Sequence, residues 1–352
     1  MKILYVITGL GLGGAEKVVV DLADQMVLLG HIVKIAYLKG DVIVSPKSDS
    51  IELIGLNFEN LSGFFKALKK YKEIINGFQP DVVHAHMIHA NIFARLSRIE
   101  CKVPKLICTA HNSNEGGKLR MLAYKYTNLL SDINTNVSNE ASDSLIEKGA
   151  FTKKNLITVY NGVDLTKFKK IEMLASENSL NFISVGRFNE QKDYPNLLNA
   201  IASIKEKLNT NVKFSIVGDG ELRSEIESLI QSLELQDYVQ LLGKRSDIPE
   251  LLNHSDFFVL SSRHEGLPTV VIEAMACHTF VISTDCGGSA EIMGDTGRLV
   301  SINDSIALGK VILEVLNLKN SEIKENNDRA RQRIEKKFSL ESSVQAWLEL
   351  YV

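Results

Sequence analysis

The chain has 352 residues, 45% of them hydrophobic and 24% charged, and at roughly 150 residues per domain that length predicts two domains, each with its own core. With 40 basic side chains against 43 acidic ones the formal net charge is −3, which argues against a protein built to coat nucleic acid and leaves room for local basic patches. Cys101, Cys108, Cys277 and Cys286 form no C-x-x-C pair and no zinc-ligand spacing, so reduced cytosolic thiols are expected rather than a disulfide scaffold.

The apolar start, Met1 to Ile7, gives way to glycines too soon for a secretory signal and predicts a buried strand over 2–8. A helix follows over 15–29, where Ala15, Val18, Val19, Leu22, Met26 and Leu29 share one face and Glu16, Lys17, Asp21 and Asp24 lie off it. Strands over 31–38, 51–56, 81–86, 105–111 and 132–138 alternate with further helical patterns, as in a parallel sheet covered on both faces. The polar stretch 161–180 predicts a linker. The alternation then restarts, with strands over 181–186, 212–217, 239–242, 257–260 and 280–283 and helices over 269–277, 303–317, 320–337 and 339–350. The expected domains are 1–163 and 164–335, with a helix in 336–352 packing back on the first. Two doubly wound α/β domains of this kind hold ligands in the cleft that faces the carboxyl ends of both sheets. No run approaches the ~18 apolar residues of a membrane span, so a spanning protein is not expected, while peripheral attachment stays open.

The first strand runs into Gly9-Leu10-Gly11-Leu12-Gly13-Gly14-Ala15-Glu16 and then a helix. Glycines let backbone approach an anion, and the opening turn of a helix favours negative charge. Gly9, Gly11 and Gly14 also fit the dinucleotide fingerprint G-x-G-x-x-G, but the second strand ends at Leu38-Lys39-Gly40, with Asp41 only after a glycine turn, where a ribose-binding acid would close the strand. A tight structural turn is the third reading.

The segment Leu260-Ser261-Ser262-Arg263-His264-Glu265-Gly266-Leu267-Pro268 leaves a buried strand and enters a helix that is apolar nearly all round, with Glu273 inside it. A carboxylate in such a helix needs a hydrogen-bonding partner: a ribose diol, or a structural Arg. The amides of Gly266 and Leu267 stand where they could receive a diphosphate. Just past another strand end, Arg187 and Lys192 are two cations suited to a phosphate leaving group; alone they read equally as a solvated loop.

Gly13-Gly14-Ala15-Glu16, His111 in Thr109-Ala110-His111-Asn112, Asn161-Gly162-Val163-Asp164, Gly186-Arg187 with Lys192, Val217-Gly218-Asp219-Gly220 and Glu265-x7-Glu273 together resemble glycosyltransferase family 4, and the resemblance spans nearly the whole chain. It implies a GT-B fold and a retaining, metal-independent hexosyltransferase. The enzyme would take a hexose or N-acetylhexosamine from a nucleotide-diphosphate sugar, UDP-linked rather than GDP-linked. The acceptor would be a glycan, carried on a polyprenyl diphosphate, in O-antigen, capsule or lipopolysaccharide synthesis at the inner face of the cytoplasmic membrane. By the same resemblance Arg187 and Lys192 hold the diphosphate and Glu273 the ribose. Glu265 contacts the transferred sugar, His111 sits beside that sugar, and Gly13-Gly14 approach the β-phosphate. Asp193 departs from the family, which usually has Gly after the Lys.

No D-x-D occurs in the chain, in keeping with leaving-group stabilisation by cations and helix-terminal amides, with neither metal nor cofactor. His84 and His86 share a strand face with His89 nearby, which leaves a metal site or a sugar contact open, and His111 alone would read equally as a core histidine. The basic segment 61–78 places Phe64, Leu68, Tyr71, Ile75 and Phe78 on one face and Lys66, Lys69, Lys70 and Lys72 off it. It fits an anionic membrane surface or an ordinary core-facing helix. Other functions left open are a nicotinamide-dependent oxidoreductase, a nucleotide-sugar epimerase, and a binding protein with a dead site.

Overall fold

An unbroken apolar run suits a strand covered on both sides, and Lys2–Ile7 (β1) shows how the first sheet is built on one. Ile3, Tyr5 and Ile7 pack with Val19, Leu22 and Met26 of the helix Gly14–Leu28, while Leu4 and Val6 pack on the other face with Leu68, Tyr71 and Ile75 of the helix Phe64–Phe78. The computed structural model describes residues 1–11, 13–113, 115–171, 179–209 and 211–352. The chain divides into two units, Met1–Gly162 with Leu340–Val352, and Val163–Ser339.

In the first unit Ile32–Tyr37 (β2), Glu52–Gly55 (β3), Val82–His86 (β4), Lys105–Thr109 (β5), Ile133–Asn136 (β6) and Ile157–Thr158 (β7) join β1 in a parallel sheet of order β3-β2-β1-β4-β5-β6-β7. The second unit repeats the plan with Leu180–Val185 (β8), Val212–Val217 (β9), Val239–Gly243 (β10), Phe257–Leu260 (β11), Phe280–Thr284 (β12) and Arg298–Val300 (β13), in the order β10-β9-β8-β11-β12-β13. Both sheets wind outward in two directions from their centres, so the order reverses between β1 and β4 in the first and between β8 and β11 in the second. Loops at the carboxyl ends of those strand pairs are where such folds hold ligands.

The second sheet is pinned by one residue type. Phe214, Phe182, Phe257 and Phe280 occupy paired positions on β9, β8, β11 and β12, with ring centroids 4.6, 4.7 and 5.9 Å apart. A one-residue slip would throw this ladder to the other face, so it fixes the register of the strands whose ends carry the site.

The helix of segment 61–78 begins as a 3-10 turn, Leu61–Gly63, and continues as Phe64–Phe78. Ala67, Leu68, Tyr71, Ile75 and Phe78 are buried in the first core and Phe64 packs edge-on against Phe93, leaving the lysines in solvent. Of the two readings of this apolar face, the core-facing one holds, because the face is spent on the sheet. Two short edge strands, β7 and β13, have too few residues to show a period. Of the stretch 161–180 expected as a linker, residues 172–178 lie outside the described residues. Among the described residues no helix is long and apolar enough to cross a membrane.

The helix Leu340–Tyr351 belongs to the first unit, where Leu340, Val344, Trp347 and Tyr351, one helical face, are buried beside Val19 and Val20.

Candidate active site

In the second unit the loops after β8 and β11, neighbours at the strand-order reversal, are bound together. Glu265 is buried, and its Oε1 accepts from Lys192 Nζ at 2.6 Å and from Ser262 Oγ at 2.7 Å, while its Oε2 accepts from Gln191 Nε2 at 3.0 Å. A buried charge is tolerated only when paired and hydrogen-bonded, and both conditions are met here. The backbone is laced as well: Arg263 N donates to Gln191 O at 2.8 Å and Ser261 Oγ to Lys192 O at 2.9 Å. Gly186 permits the stem of Lys192 to lie across it, since a Cβ there would stand 2.9 Å from Lys192 Cε. Arg187 is not part of this knot. It pairs with Glu221 at 3.1 Å with 62% of its side chain exposed, an arrangement cheap to exchange for another anion.

Gly266, Leu267 and Pro268 are buried and lead into the helix Thr269–Ala276, in which Val271 to Ala276 are all buried, Glu273 among them. Burial, reinforced by Glu273, pushes the Cys277 thiol up to about 12; burial and then Glu265 do the same at Cys286. Both thiols stay protonated and inert. Gly287, at φ +55°, turns beneath Glu265, where a Cβ would stand 2.5 Å from the Glu265 carbonyl, and Gly288 N donates to Gly266 O at 2.8 Å. Only glycine fits that turn.

In the first unit the corresponding loops follow β1, β4 and β5. Gly13, extended and exposed, precedes the helix whose first residue is Gly14, and the carboxylate of Glu16 folds back over it. His111 follows β5; its Nε2 meets Nδ1 of His86, the last residue of β4, at 2.9 Å, and its backbone N–H donates to Glu115 Oε1 at 3.1 Å. His84 is engaged at both ring nitrogens, by Tyr351 Oη at 2.8 Å and Thr109 Oγ1 at 2.7 Å, and its ring lies 3.9 Å from that of His86. His89 is exposed on the next helix. The three histidines 84, 86 and 89 thus do not converge, and the first two serve a buried polar chain that runs from His111 back to Tyr351 and Tyr5. Burial drives the imidazoles of His84 and His86 well below their usual value and that of His111 down to about 4. Neutral rings, able to offer one donor and one acceptor, stand here at neutral pH.

Two family models match the chain: Glycosyltransferase Family 4 over residues 12–167 and Glycosyl transferases group 1 over residues 166–337. A glycosyltransferase of Methanocaldococcus jannaschii, itself uncharacterized, is 30% identical over 84% of this chain and 81% of its own length. This chain belongs to glycosyltransferase family 4. A Campylobacter jejuni relative, named GalNAc-alpha-(1->4)-GalNAc-alpha-(1->3)-diNAcBac-PP-undecaprenol alpha-1,4-N-acetyl-D-galactosaminyltransferase, is 29% identical over 99% of this chain and 98% of its own. The Anabaena protein HepE, solved with UDP and glucose, superposes with a TM-score of 0.83 at 19% identity over 99% of both chains, a likeness of GT-B fold.

For a glycosyltransferase of this family, the oxidoreductase reading of the glycine turn and the epimerase alternative fall away. The departure at Asp193 also has an explanation. Asp193 takes φ +47°, ψ +50°, the left-handed region where glycine is at ease, and its buried carboxylate is held in a two-pronged pair by Arg263 at 2.9 and 3.1 Å. Here an ion pair to the Glu265 loop holds a residue other than glycine in that conformation. Sequence reasoning singled out His86 without its pairing to His111, and it missed Arg263, Ser262, Gln191 and Gly287-Gly288. The last carries a readable signal, since Gly287-Gly288-Ser289-Ala290-Glu291 after β12 echoes Gly13-Gly14-Ala15-Glu16 after β1.

Arg263→Ala strands a buried carboxylate and should destabilise the second unit by about 2 kcal/mol, whereas Asp193→Gly, which relaxes the turn, should lose less. Denaturant unfolding measures both, and a larger loss in Asp193→Gly contradicts this account. The imidazoles give a second expectation. The folded state holds their pKa values below 6.5 and the unfolded chain does not, so the stability of neutral burial is full above about pH 6.5 and drains as pH falls toward 4. Each imidazole that must charge contributes about 1.4 kcal/mol per pH unit. The calorimetric unfolding midpoint should be level near pH 7 and fall on acidification, less steeply in His111→Gln; a midpoint rising toward pH 5 contradicts it.

Proposed function

We propose that this glycosyltransferase moves a hexose or N-acetylhexosamine, with retention at the anomeric carbon and without a metal, from a UDP-sugar to a polyprenyl-diphosphate-linked glycan. The product would be a bacterial surface polysaccharide such as O-antigen or capsule, made in the cytoplasm at the inner face of the membrane. The observation that carries the reading is the Lys192–Glu265 pair at the reversal between β8 and β11. A buried carboxylate with three donors can take a sugar hydroxyl, and a lysine beside it can take a phosphate oxygen. The names of the relatives support the rest: one acts on an undecaprenol-linked acceptor and one binds UDP and glucose.

In this reading Lys192 and Arg187 neutralise the diphosphate as it leaves, Arg187 by exchanging its exposed partner Glu221 for phosphate. Glu273 takes the ribose, the segment Gly266-Leu267-Pro268 borders the donor, and Gly13-Gly14 approach the β-phosphate. Neutral His111, steadied by His86, offers a hydrogen bond to the transferred sugar. The absence of any D-x-D in the sequence supports charge stabilisation by side-chain cations and helix-terminal amides.

The test follows nucleotide release from UDP- and GDP-sugars with a polyprenyl-diphosphate-linked glycan, with and without EDTA. Release from a UDP-sugar is expected, unaffected by the chelator, giving an α-linked product from an α-linked donor. Glu265→Gln should slow turnover by about 10²–10³-fold. Failure of every donor, or a rate abolished by EDTA, contradicts the proposal.

A further inference from the structure

His111 is gripped from two sides. Its backbone N–H donates to Glu115 Oε1 at 3.1 Å, and its Nε2 lies 2.9 Å from Nδ1 of His86, which leaves Nδ1 as the other polar atom of a half-buried ring. His86 itself is 1% exposed at the end of β4, with the rings of His84 and Tyr5 at 3.9 and 5.8 Å. His84 is pinned at both nitrogens by Tyr351 and Thr109, so the ring packed against it has no room to turn. The second nitrogen of His86, Nε2, is buried with no hydrogen-bond partner among the described residues. A side chain that only filled this space would be better apolar, because an unanswered polar atom in a core costs stability. The use of an imidazole at this position therefore lies at Nδ1, in what it does to His111.

Burial keeps both rings neutral, so one proton lies between Nδ1 of His86 and Nε2 of His111, and it belongs to one ring or the other. Were it on His111, the proton of His86 would sit on its Nε2, a buried N–H with nothing to receive it. Orphaned N–H groups are rarer in protein interiors than under-used acceptors. With the proton on His86 instead, Nε2 of His86 is a bare acceptor, and His111, which accepts at Nε2, carries its own proton on Nδ1. We propose that His86 is a positioning residue that fixes His111 as the Nδ1–H tautomer, so that the nitrogen His111 keeps for a ligand is a hydrogen-bond donor. The assignment deepens the proposed reaction and rests on it: the donor meets an oxygen of the transferred sugar. A donor whose tautomer and ring plane are set in advance needs no rearrangement when the sugar arrives. Glu115 sets the backbone of His111 and His86 sets its ring.

Proton–nitrogen correlation spectra of the full chain, labelled with the heavy nitrogen isotope in its histidines, read which ring nitrogen carries the proton. The signals of His111 and His86 are identified by their loss in His111→Gln and His86→Asn. At neutral pH both rings of the wild type should carry the proton on Nδ1. His86→Phe, which has nothing to donate, should release His111 to a mixture of tautomers and lower kcat by about tenfold or more, with UDP affinity within about threefold of the wild type. His86→Asn, whose amide can donate from nearly the same place as Nδ1, should keep the His111 proton on Nδ1 and recover most of that kcat. The proposal is overturned if His111 of the wild type carries its proton on Nε2, if His86→Phe leaves tautomer and kcat unchanged, or if His86→Asn falls as far as His86→Phe. The wild-type spectrum decides the matter even where His86→Phe does not fold. The spectra need no turnover. A protein with the expected tautomer that releases no nucleotide from any donor keeps the role of His86 and loses the proposed reaction; one that turns over with His111 protonated on Nε2 does the reverse.

Discussion

Lys192 and Glu265 meet at 2.6 Å with 16% and 9% of their side chains exposed, and the second unit's loops are arranged around making that contact tolerable. An ion pair removed from water is stable only if its remaining lone pairs and protons are answered. Ser262 and Gln191 answer those of the carboxylate, and Gly186 lets the lysine stem run flat to reach it. The neighbouring pair, Asp193 with Arg263, joins the same two loops. Breaking either pair would free the loops that leave β8 and β11 at the point where the sheet reverses.

The first unit solves a related problem with neutral groups. His111 meets His86 by a hydrogen bond and His86 meets His84 by ring contact, while Thr109 and Tyr351 hold His84, and burial keeps all three uncharged. The helix Leu340–Tyr351 takes part in this chain by Tyr351, so a segment far along the sequence secures the strand that ends in His86. The two units therefore present unlike groups: paired cations and carboxylates in the second, neutral hydrogen-bonding rings in the first.

The plan of both sheets was legible in the sequence because each central strand is an apolar run and each helix has a face. Leu4 and Val6 on one side of β1, with Ile3, Tyr5 and Ile7 on the other, show that pattern at its plainest. What escaped was either too short for a period, as with Ile157–Thr158 and Arg298–Val300, or a matter of partnership across distance. Glu265 and Lys192 were each legible as candidate site residues, but not that they pair, because 73 positions separate them. Asp193 was legible as a departure, and only its backbone angles and the approach of Arg263 show how it is accommodated. The face of 61–78 was read correctly as amphipathic, yet periodicity alone does not say whether an apolar face meets a core or something outside.

In the proposed function the buried pair divides its roles, Lys192 taking the diphosphate and Glu265 the transferred sugar. Calorimetric titration of UDP into the wild type, Lys192→Ala and Glu265→Gln tests it most directly. Lys192→Ala should weaken UDP binding by about tenfold or more, while Glu265→Gln, which keeps the lysine and one oxygen to accept from it, should stay within about threefold of the wild type. UDP binding unchanged in Lys192→Ala, or lost equally in both variants, would contradict the claim.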